Sequence, residues 1–375
     1  FADRYFDEAR NNAKIAEARY KDPDDALGIL EGLPLVVKDS TPIKGRRSTN
    51  GSLINKDRMD QHTNPSIERL LASGANLFAR TTCPEFCWLF TCHSRMWGVT
   101  RNPWRLDITP GGSSGGSAAA LAAGATTIAT GSDSAGSIRQ PASQCGVVGY
   151  KPPYGRMPLS PSNSFDPFVQ IGPMARTVAD AALMSNVMSG PHSLDHTALN
   201  DSVVIPNRLP GITGMNLAFS RNLGHFQLAD DVEREFMLSI DALRTAGANV
   251  EELSLSGLDE IIGLSHGAQE FVAHEFLQEA IDNHPDIISD YVPELLETAL
   301  SFNSSDFRKS TSLAGEIWQS HFGPLFQEYE ALLCPTVSSP LVPAENWQKQ
   351  KITINGHALT DTEMTMTGLF NLYSR

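Results

Sequence analysis

The sequence predicts an α/β fold. Two helix–glycine–strand units and one short apolar strand carry that expectation. The first unit is a helix over 65–73, closed by Gly74 and followed by a strand at Asn76–Ala79. The second is a helix over Val232–Thr245, then Gly247, then a strand over Val250–Leu255. A glycine just past a helix supplies the left-handed residue with which helices commonly stop. The apolar run Leu33-Pro34-Leu35-Val36-Val37 reads as a buried strand that ends at Lys38-Asp39.

The remaining elements follow in order. Residues 7–20 are rich in Ala, Glu, Arg and Asn and read as a helix. Ser117–Gly124 is a helix of small side chains, able to approach neighbouring backbone closely, which places it centrally. Ala125–Ala129 reads as a strand. The stretch 190–212 is polar and contains Pro191, Pro206 and Pro210, as in a loop between a core and an added lobe. From about 255 to 330 the chain reads as mostly helical. Ala331–Cys334 returns to a strand and is broken by Pro335.

Composition narrows the function. The chain has 375 residues, 29 basic and 43 acidic, for a formal net charge of −14. With 41% hydrophobic and 19% charged residues it is globular rather than disordered. The acidic balance argues against nucleic-acid partners and anionic membranes, both of which attract positive charge. No run of about eighteen apolar residues offers a membrane span. The chain opens at Phe1 without a charged-then-apolar leader, and it stops at Tyr373-Ser374-Arg375 without a terminating pattern. No signal peptide is expected, and further residues are expected at both ends. Five cysteines, an odd number, do not make a disulfide framework, so a reducing, cytoplasmic compartment is expected. Cys83, Cys87, Cys92 and His93 match no zinc spacing and read as thiols packed like small hydrophobes. His274-Glu275 begins like a zinc-protease helix, but position 278 is Gln and supplies no second ligand. Neither a metal nor a cofactor is expected.

The most unusual stretch is Pro110-Gly111-Gly112-Ser113-Ser114-Gly115-Gly116-Ser117. Taken alone it admits three readings: an anion-binding loop, a nucleophile elbow of the Gly-x-Ser-x-Gly kind, and a plain structural glycine turn. The anion loop lacks the Lys-Ser/Thr ending of a P-loop. The elbow needs a strand immediately before it, and Asn102–Pro110 holds two prolines and no alternation. On this stretch alone the structural turn prevails.

The stretch has companions. Upstream lies Gly32-Leu33-Pro34-Leu35-Val36-Val37-Lys38-Asp39. Downstream lies Thr130-Gly131-Ser132-Asp133-Ser134-Ala135-Gly136-Ser137-Ile138-Arg139-Gln140-Pro141-Ala142. With Cys145–Arg156, Gly172–Ala182 and Phe370-Asn371-Leu372, these segments together resemble the amidase signature family of serine hydrolases. The resemblance implies one amidase domain over 1–375, with a central mixed sheet flanked by helices on both sides. A more variable helical region near 190–330 falls within it.

The same resemblance implies the site. In the family's pattern the nucleophile is the serine of the Gly-Ser-Ile-Arg segment, here Ser137. The bridging serine is Ser113, after a cis Gly112–Ser113 peptide bond, and the base is Lys38. A serine hydroxyl needs a base, and a lysine serves only when neutral, a form that apolar surroundings favour. Ser134, Ala135, Gly136 and Ser137 would offer backbone N–H groups to the oxyanion. Many relatives have Gly where this chain has Ala135. Ser114, Asp133 and Arg139 would brace the loops, Ser114 by hydrogen bonds within the glycine stretch. Cys87, Trp88, Phe165 and Phe168 are the candidate substrate pocket, although core packing accounts for them equally well.

The chemistry implied is hydrolysis of a small-molecule linear amide through an acyl-enzyme, by a chain that is often a homodimer in the family. Alternatives are the glutamine-amidase subunit of a tRNA-dependent amidotransferase, an esterase using Ser113, and a catalytically inactive binding protein. Tyr150 and Pro153 depart from the usual wording of the amidotransferase branch, which favours a stand-alone amidase.

Overall fold

The computed structural model describes residues 1–159, 168–345, 352–360 and 363–373. Its first half runs β1 (Asp3–Arg4), α1 (Phe6–Lys21), β2 (Pro34–Lys38), α2 (Pro65–Ala72), β3 (Asn76–Thr81), a hairpin of β4 (His93–Ser94) and β5 (Gly98–Val99), and α3 (Gly115–Ala122). It continues through β6 (Ile128–Asp133), α4 (Arg139–Cys145), β7 (Val148–Gly149), β8 (Gln170–Ala175) and α5 (Val178–Met188). Six strands form one sheet in the order β1-β3-β2-β6-β8-β7. The pairs β3–β2 and β2–β6 are parallel, and β1, β8 and β7 join antiparallel. The sheet is therefore mixed, as expected.

Period-two alternation divides the core between the two faces. Leu35, Val37, Leu77, Ile128 and Ile171 pack with Ile67 and Leu70 of α2 and Met184 and Met188 of α5. Val36, Ala79, Ala129 and Met174 pack on the other face with Ala118 and Leu121 of α3 and Ala142 and Cys145 of α4. Small side chains dominate this second layer, which draws α3 close. A Cβ on Gly116 would stand 2.5 Å from the backbone N and O of Thr82. Glycine is what allows that approach. The small-residue helix is central, as its composition predicts, and it starts two residues earlier, inside the glycine stretch.

One strand extends beyond its expected end. The reading of Ala125–Ala129 stopped at the run Thr130-Gly131-Ser132-Asp133, whose residue types are poor strand formers apart from Thr130. The structure carries β6 through to Asp133, with Gly131 opposite Gly172 and Asp133 opposite Gln170 on β8. Crowding explains the glycine, because a Cβ there would lie 2.8 Å from Ser114 Oγ and 2.9 Å from Ile138. Pairing along the full length of β8 outweighs weak intrinsic propensity.

Residues 189–215 form loops and turns with no helix or named strand. Beyond them come β9 (Asn216–Phe219), α6 (Asp230–Thr245), β10 (Asn249–Glu252), α7 (Asp259–Phe271), α8 (His274–Asn283), α9 (Val292–Ser301), α10 (Ser304–Ile317) and β11 (Ala331–Leu333). The three strands make a second, parallel sheet in the order β10-β9-β11. The stretch 255–330 is mostly helical as read, with the small sheet outside it, and its helices α8 and α9 pack with Phe86 and Leu89 of the first half. Met366 and Leu369 return from the C-terminal part to pack with Leu258, Ile261 and Phe322 in this second core. Among the described residues no helix is long and apolar enough to cross a membrane.

Candidate active site

Lys38 closes β2 and points to the face that carries α3 and α4. It is fully buried. Its Nζ lies 2.7 Å from Ser113 Oγ and 2.9 Å from Ser132 Oγ, so its described partners are hydroxyls rather than carboxylates. The chain after it is pinned. Arg80 Nη2 donates to the Lys38 carbonyl at 3.0 Å and also to the Thr41 carbonyl. The Asp39 carboxylate accepts from the Thr49 N–H at 3.2 Å and from Trp97 Nε1 at 3.0 Å. A long, normally mobile side chain is thereby fixed at its root and at its tip.

Ser113 comes from the glycine stretch. The described residues from 100 to 114 contain no named strand, and α3 begins at Gly115. The strand–turn–helix geometry of a nucleophile elbow is therefore missing, and the partner of Ser113 Oγ is a lysine. The Gly112–Ser113 peptide bond is cis, as the resemblance implies. Gly112 is wedged among carbonyls, since a Cβ there would lie 2.4 Å from the oxygens of Leu89 and Thr91. Ser114 Oγ reaches out of its own loop, accepting from the Ser132 N–H and donating to the Ser132 carbonyl, each at 3.2 Å. Its expected bonds within the glycine stretch are corrected accordingly: it ties that stretch to the end of β6, where unpaired backbone groups are available.

The third segment is the loop between β6 and α4. Asp133 organises it. Its Oδ1 accepts from the Gly136 N–H at 2.8 Å and its Oδ2 from the Ile138 N–H at 3.1 Å. Arg139 closes a two-pronged ion pair on the same carboxylate, at 2.7 and 2.9 Å. Burial pushes the Asp133 carboxyl up, but the charge and hydrogen bonds of Arg139, with Lys151 and the Ile138 N–H, outweigh it and hold the group well below the usual carboxylate range. The C-terminal segment completes the brace. Arg139 Nη1 donates to the Thr367 carbonyl, Thr367 Oγ1 donates to the Ala135 carbonyl, and Asn371 Nδ2 donates to Asp133 Oδ1.

Asp133→Ala should cost about 3–5 kcal/mol, because it strands a partly buried guanidinium and several N–H groups; denaturant unfolding checks this. The depressed carboxyl also sets a pH direction. Its contribution is complete above the ordinary carboxylate range and is lost as pH falls through the lower, folded-state value. The acid arm of the stability curve should flatten in the variant.

Ser137 and Ser113 open on one cavity of about 840 Å³. Backbone bonds tie their loops, with the Ser114 N–H donating to the Ser137 carbonyl at 3.1 Å. No hydrogen bond joins the two hydroxyls in this conformation. Such contacts commonly tighten only when substrate binds. Of the expected oxyanion donors, the Gly136 N–H is already taken by Asp133. The N–H groups of Ser134, Ala135 and Ser137 have no acceptor among the described residues.

Cys87 and Trp88 line the cavity with Phe86, Leu89, Phe90 and Phe276. Phe165 lies outside the described residues. Phe168 is buried against Phe307, ring centroids 6.3 Å apart, and is not in the cavity wall. Its carbonyl is held by Asn371 at the entrance to β8, and Val169 and Ile171 face the cavity instead. Among the cysteines, Cys83, Cys92 and Cys145 are buried as expected, whereas Cys87 stands on the cavity wall. Burial pushes its thiol up, yet the polar groups around it, Cys83 first, prevail and hold it below the usual thiol range. Sequence reasoning also missed Ser132 and Thr367. The only signal for Ser132 was its place five residues before Ser137 on a strand that was read too short.

A family model described as Amidase matches residues 1–371. The glutamyl-tRNA(Gln) amidotransferase A subunit of Roseiflexus sp. (strain RS-1) is 38% identical over 255 residues, 66% of this chain and 51% of that protein. Its counterpart in Cyanothece sp. (strain PCC 7425 / ATCC 29141) is 40% identical over 236 residues, 61% of this chain and 48% of that protein. The chain spans about half the length of these curated relatives. Among solved structures, a bacterial aryl acylamidase of the amidase signature family matches with a TM-score of 0.88 at 26% identity, covering 99% of this chain and 79% of that one. A glutamyl-tRNA(Gln) amidotransferase A subunit from Thermotoga maritima matches with a TM-score of 0.77 at 26% identity, covering 98% and 83%.

Proposed function

The chain belongs to the amidase family, and from that premise we propose that it is a stand-alone amidohydrolase cleaving uncharged, largely apolar carboxylic amides through a Ser137 acyl-enzyme. The observation that carries this reading is the buried Lys38–Ser113 contact at 2.7 Å, on the wall of the cavity that Ser137 also lines. Ser137 Oγ attacks the amide carbon. Its proton passes to Ser113 Oγ as the Ser113 proton passes to Lys38 Nζ, and the leaving amine takes a proton back along the same path. Ser132 accepts one N–H of the amine and leaves the lone pair of the neutral form to face Ser113. The free N–H groups of Ser134, Ala135 and Ser137 receive the charge that develops on the carbonyl oxygen. The aromatic part of the wall favours an apolar group, because a charge placed against Phe86, Trp88, Phe90 and Phe276 loses hydration without compensation, although Arg58 and Asp60 line the same cavity.

Fluorophosphonate labelling with peptide mapping tests the reading. The adduct should fall on Ser137 and disappear in Lys38→Ala. An adduct on Ser113 would transfer the assignment to the esterase reading. No adduct on folded protein would leave a binding role. A second reading, the glutamine-amidase component of an amidotransferase, draws on the 38% identity to proteins of that kind. Comparing kcat/KM for free glutamine and for phenylalkanoyl amides separates the two, and a clear preference for glutamine would overturn the apolar substrate class.

A further inference from the structure

The cavity wall mixes apolar and polar side chains, and two of the polar ones lie on a single face of α7. His266 and Gln269 are three residues apart, so they stand one above the other on that helix. Both line the cavity, and both are more than nine-tenths buried, at 7% and 4% exposure. Their neighbours are Phe90, whose ring meets the imidazole edge-on at 6.1 Å, and Val272, Ala273 and Phe276, the last from α8.

Each of the two presents an acceptor without a protein partner among the described residues. Burial pushes the His266 imidazole down to about 4, against a hydrogen bond to the Ile262 carbonyl, so the ring is neutral at ordinary pH. In a neutral ring that uses its N–H on a carbonyl, the other nitrogen is an acceptor. Ser265 Oγ, which itself donates to the Ile262 carbonyl, sits 3.4 Å from Nδ1. That places the proton on Nδ1 and leaves Nε2 bare, and Nε2 is buried with no hydrogen-bond partner. Gln269 spends its amide N–H on the Gly368 carbonyl at 3.4 Å, and its Oε1 has no described partner. Gly368 packs directly against the ring, since a Cβ there would stand 3.0 Å from Nε2.

We infer that His266 and Gln269 form a specificity device that reads a hydrogen-bond donor on the substrate: the natural amide carries a hydroxyl or N–H group on an otherwise apolar body. The inference rests on the assignment of this cavity as the amide site. The physical reason is asymmetric. A buried acceptor left unpaired costs free energy with every plain ligand, and a ligand that brings a donor removes that cost. The unpaired Nε2, with the Gln269 oxygen beside it on the helix, selects for the donor more strongly than it adds to general affinity.

The test uses matched phenylalkanoyl amides and N-aryl acetamides of increasing chain length, each as its phenyl and its 4-hydroxyphenyl analogue. Binding to the whole chain is measured by calorimetry. For at least one length the hydroxyl analogue should bind about tenfold more tightly than its phenyl partner. In His266→Phe and in Gln269→Leu that ratio should fall toward one. Absence of any hydroxyl preference in the unmodified protein, or a preference that survives both substitutions, overturns the inference. Fluorophosphonate labelling of the same preparations keeps the two claims apart. Failure to label Ser137 defeats the hydrolase reading, while the binding ratios still judge the pair on α7.

Discussion

Lys38→Met should lower kcat by at least about 10⁴-fold, a barrier increase of roughly 5.5 kcal/mol, while the protein stays folded. The methionine side chain fills nearly the volume of the lysine stem but has no lone pair that can take a proton from Ser113. Stability responds differently. Lys38 is an amine buried among hydroxyls, and burying such a group without a carboxylate is costly. Removing it relieves that cost. It also strips the Ser113 and Ser132 hydroxyls of their partner, at about 1 kcal/mol each. The two changes offset, so the thermal midpoint should hold or rise. Lys38→Ala should lose the same activity and additionally leave a cavity worth about 2–5 kcal/mol. Turnover and melting of both variants decide the matter. A methionine variant within tenfold of the parent's kcat would sink the lysine-base reading, whatever its stability.

Gly136→Ala should be the most damaging one-carbon change in the nucleophile loop. Gly136 has a φ of +139°, a region open in practice to glycine. A Cβ there would lie 2.0 Å from Thr367 Oγ1 and 3.1 Å from Thr367 Cβ. The hydroxyl it strikes is the one that holds the Ala135 carbonyl. The loop must therefore shift, and with it the N–H groups of Ala135 and Ser137 on either side of Gly136. A loss of about 100-fold or more in kcat/KM is expected, of the size seen when an oxyanion donor is removed. Overpacking should add a destabilisation of about 1–3 kcal/mol. Thr367→Ala in the same chain removes the collision but not the backbone conflict, so it should restore stability more than activity. Full activity in Gly136→Ala alone would show that the loop geometry is not what orders the site.

What could be read from residues alone was whatever repeats or stands out locally. The strand ending at Lys38, the helix–glycine–strand units and the small-residue helix each follow from periodicity or from a stop signal nearby. The glycine stretch is conspicuous, but alone it reads as a turn. Its companions upstream and downstream are what pointed to a site. The losses have a common cause, which is that tertiary pairing overrides local preference. The run at 130–133 looks like a loop and becomes the end of a central strand because β8 pairs with it throughout. Strands β9, β10 and β11 are short, and nothing in their sequences says that they form one sheet across more than a hundred residues. Phe168 and Trp88 are equally aromatic, yet one fills core and the other lines the cavity. Thr367 and Asn371 carry no local sign of their attachment to Asp133 and Ala135.

That last attachment governs when the site exists. Thr367 and Asn371 meet the nucleophile loop across 232 and 238 residues of chain. The lysine and the sheet that buries it are built from the first half of the sequence, and the contacts within them close early. Contacts at such separation are the slowest to form, since the entropy of closing the loop is spent before any bond returns it. On the ribosome, with structure forming as the chain emerges, the serine loop waits for residues made much later. A nascent chain can thus own every proposed catalytic group and still lack the clamp that holds the Ser137 loop in place. On the proposed reading, reactivity at Ser137 would arrive only once that distant segment has emerged.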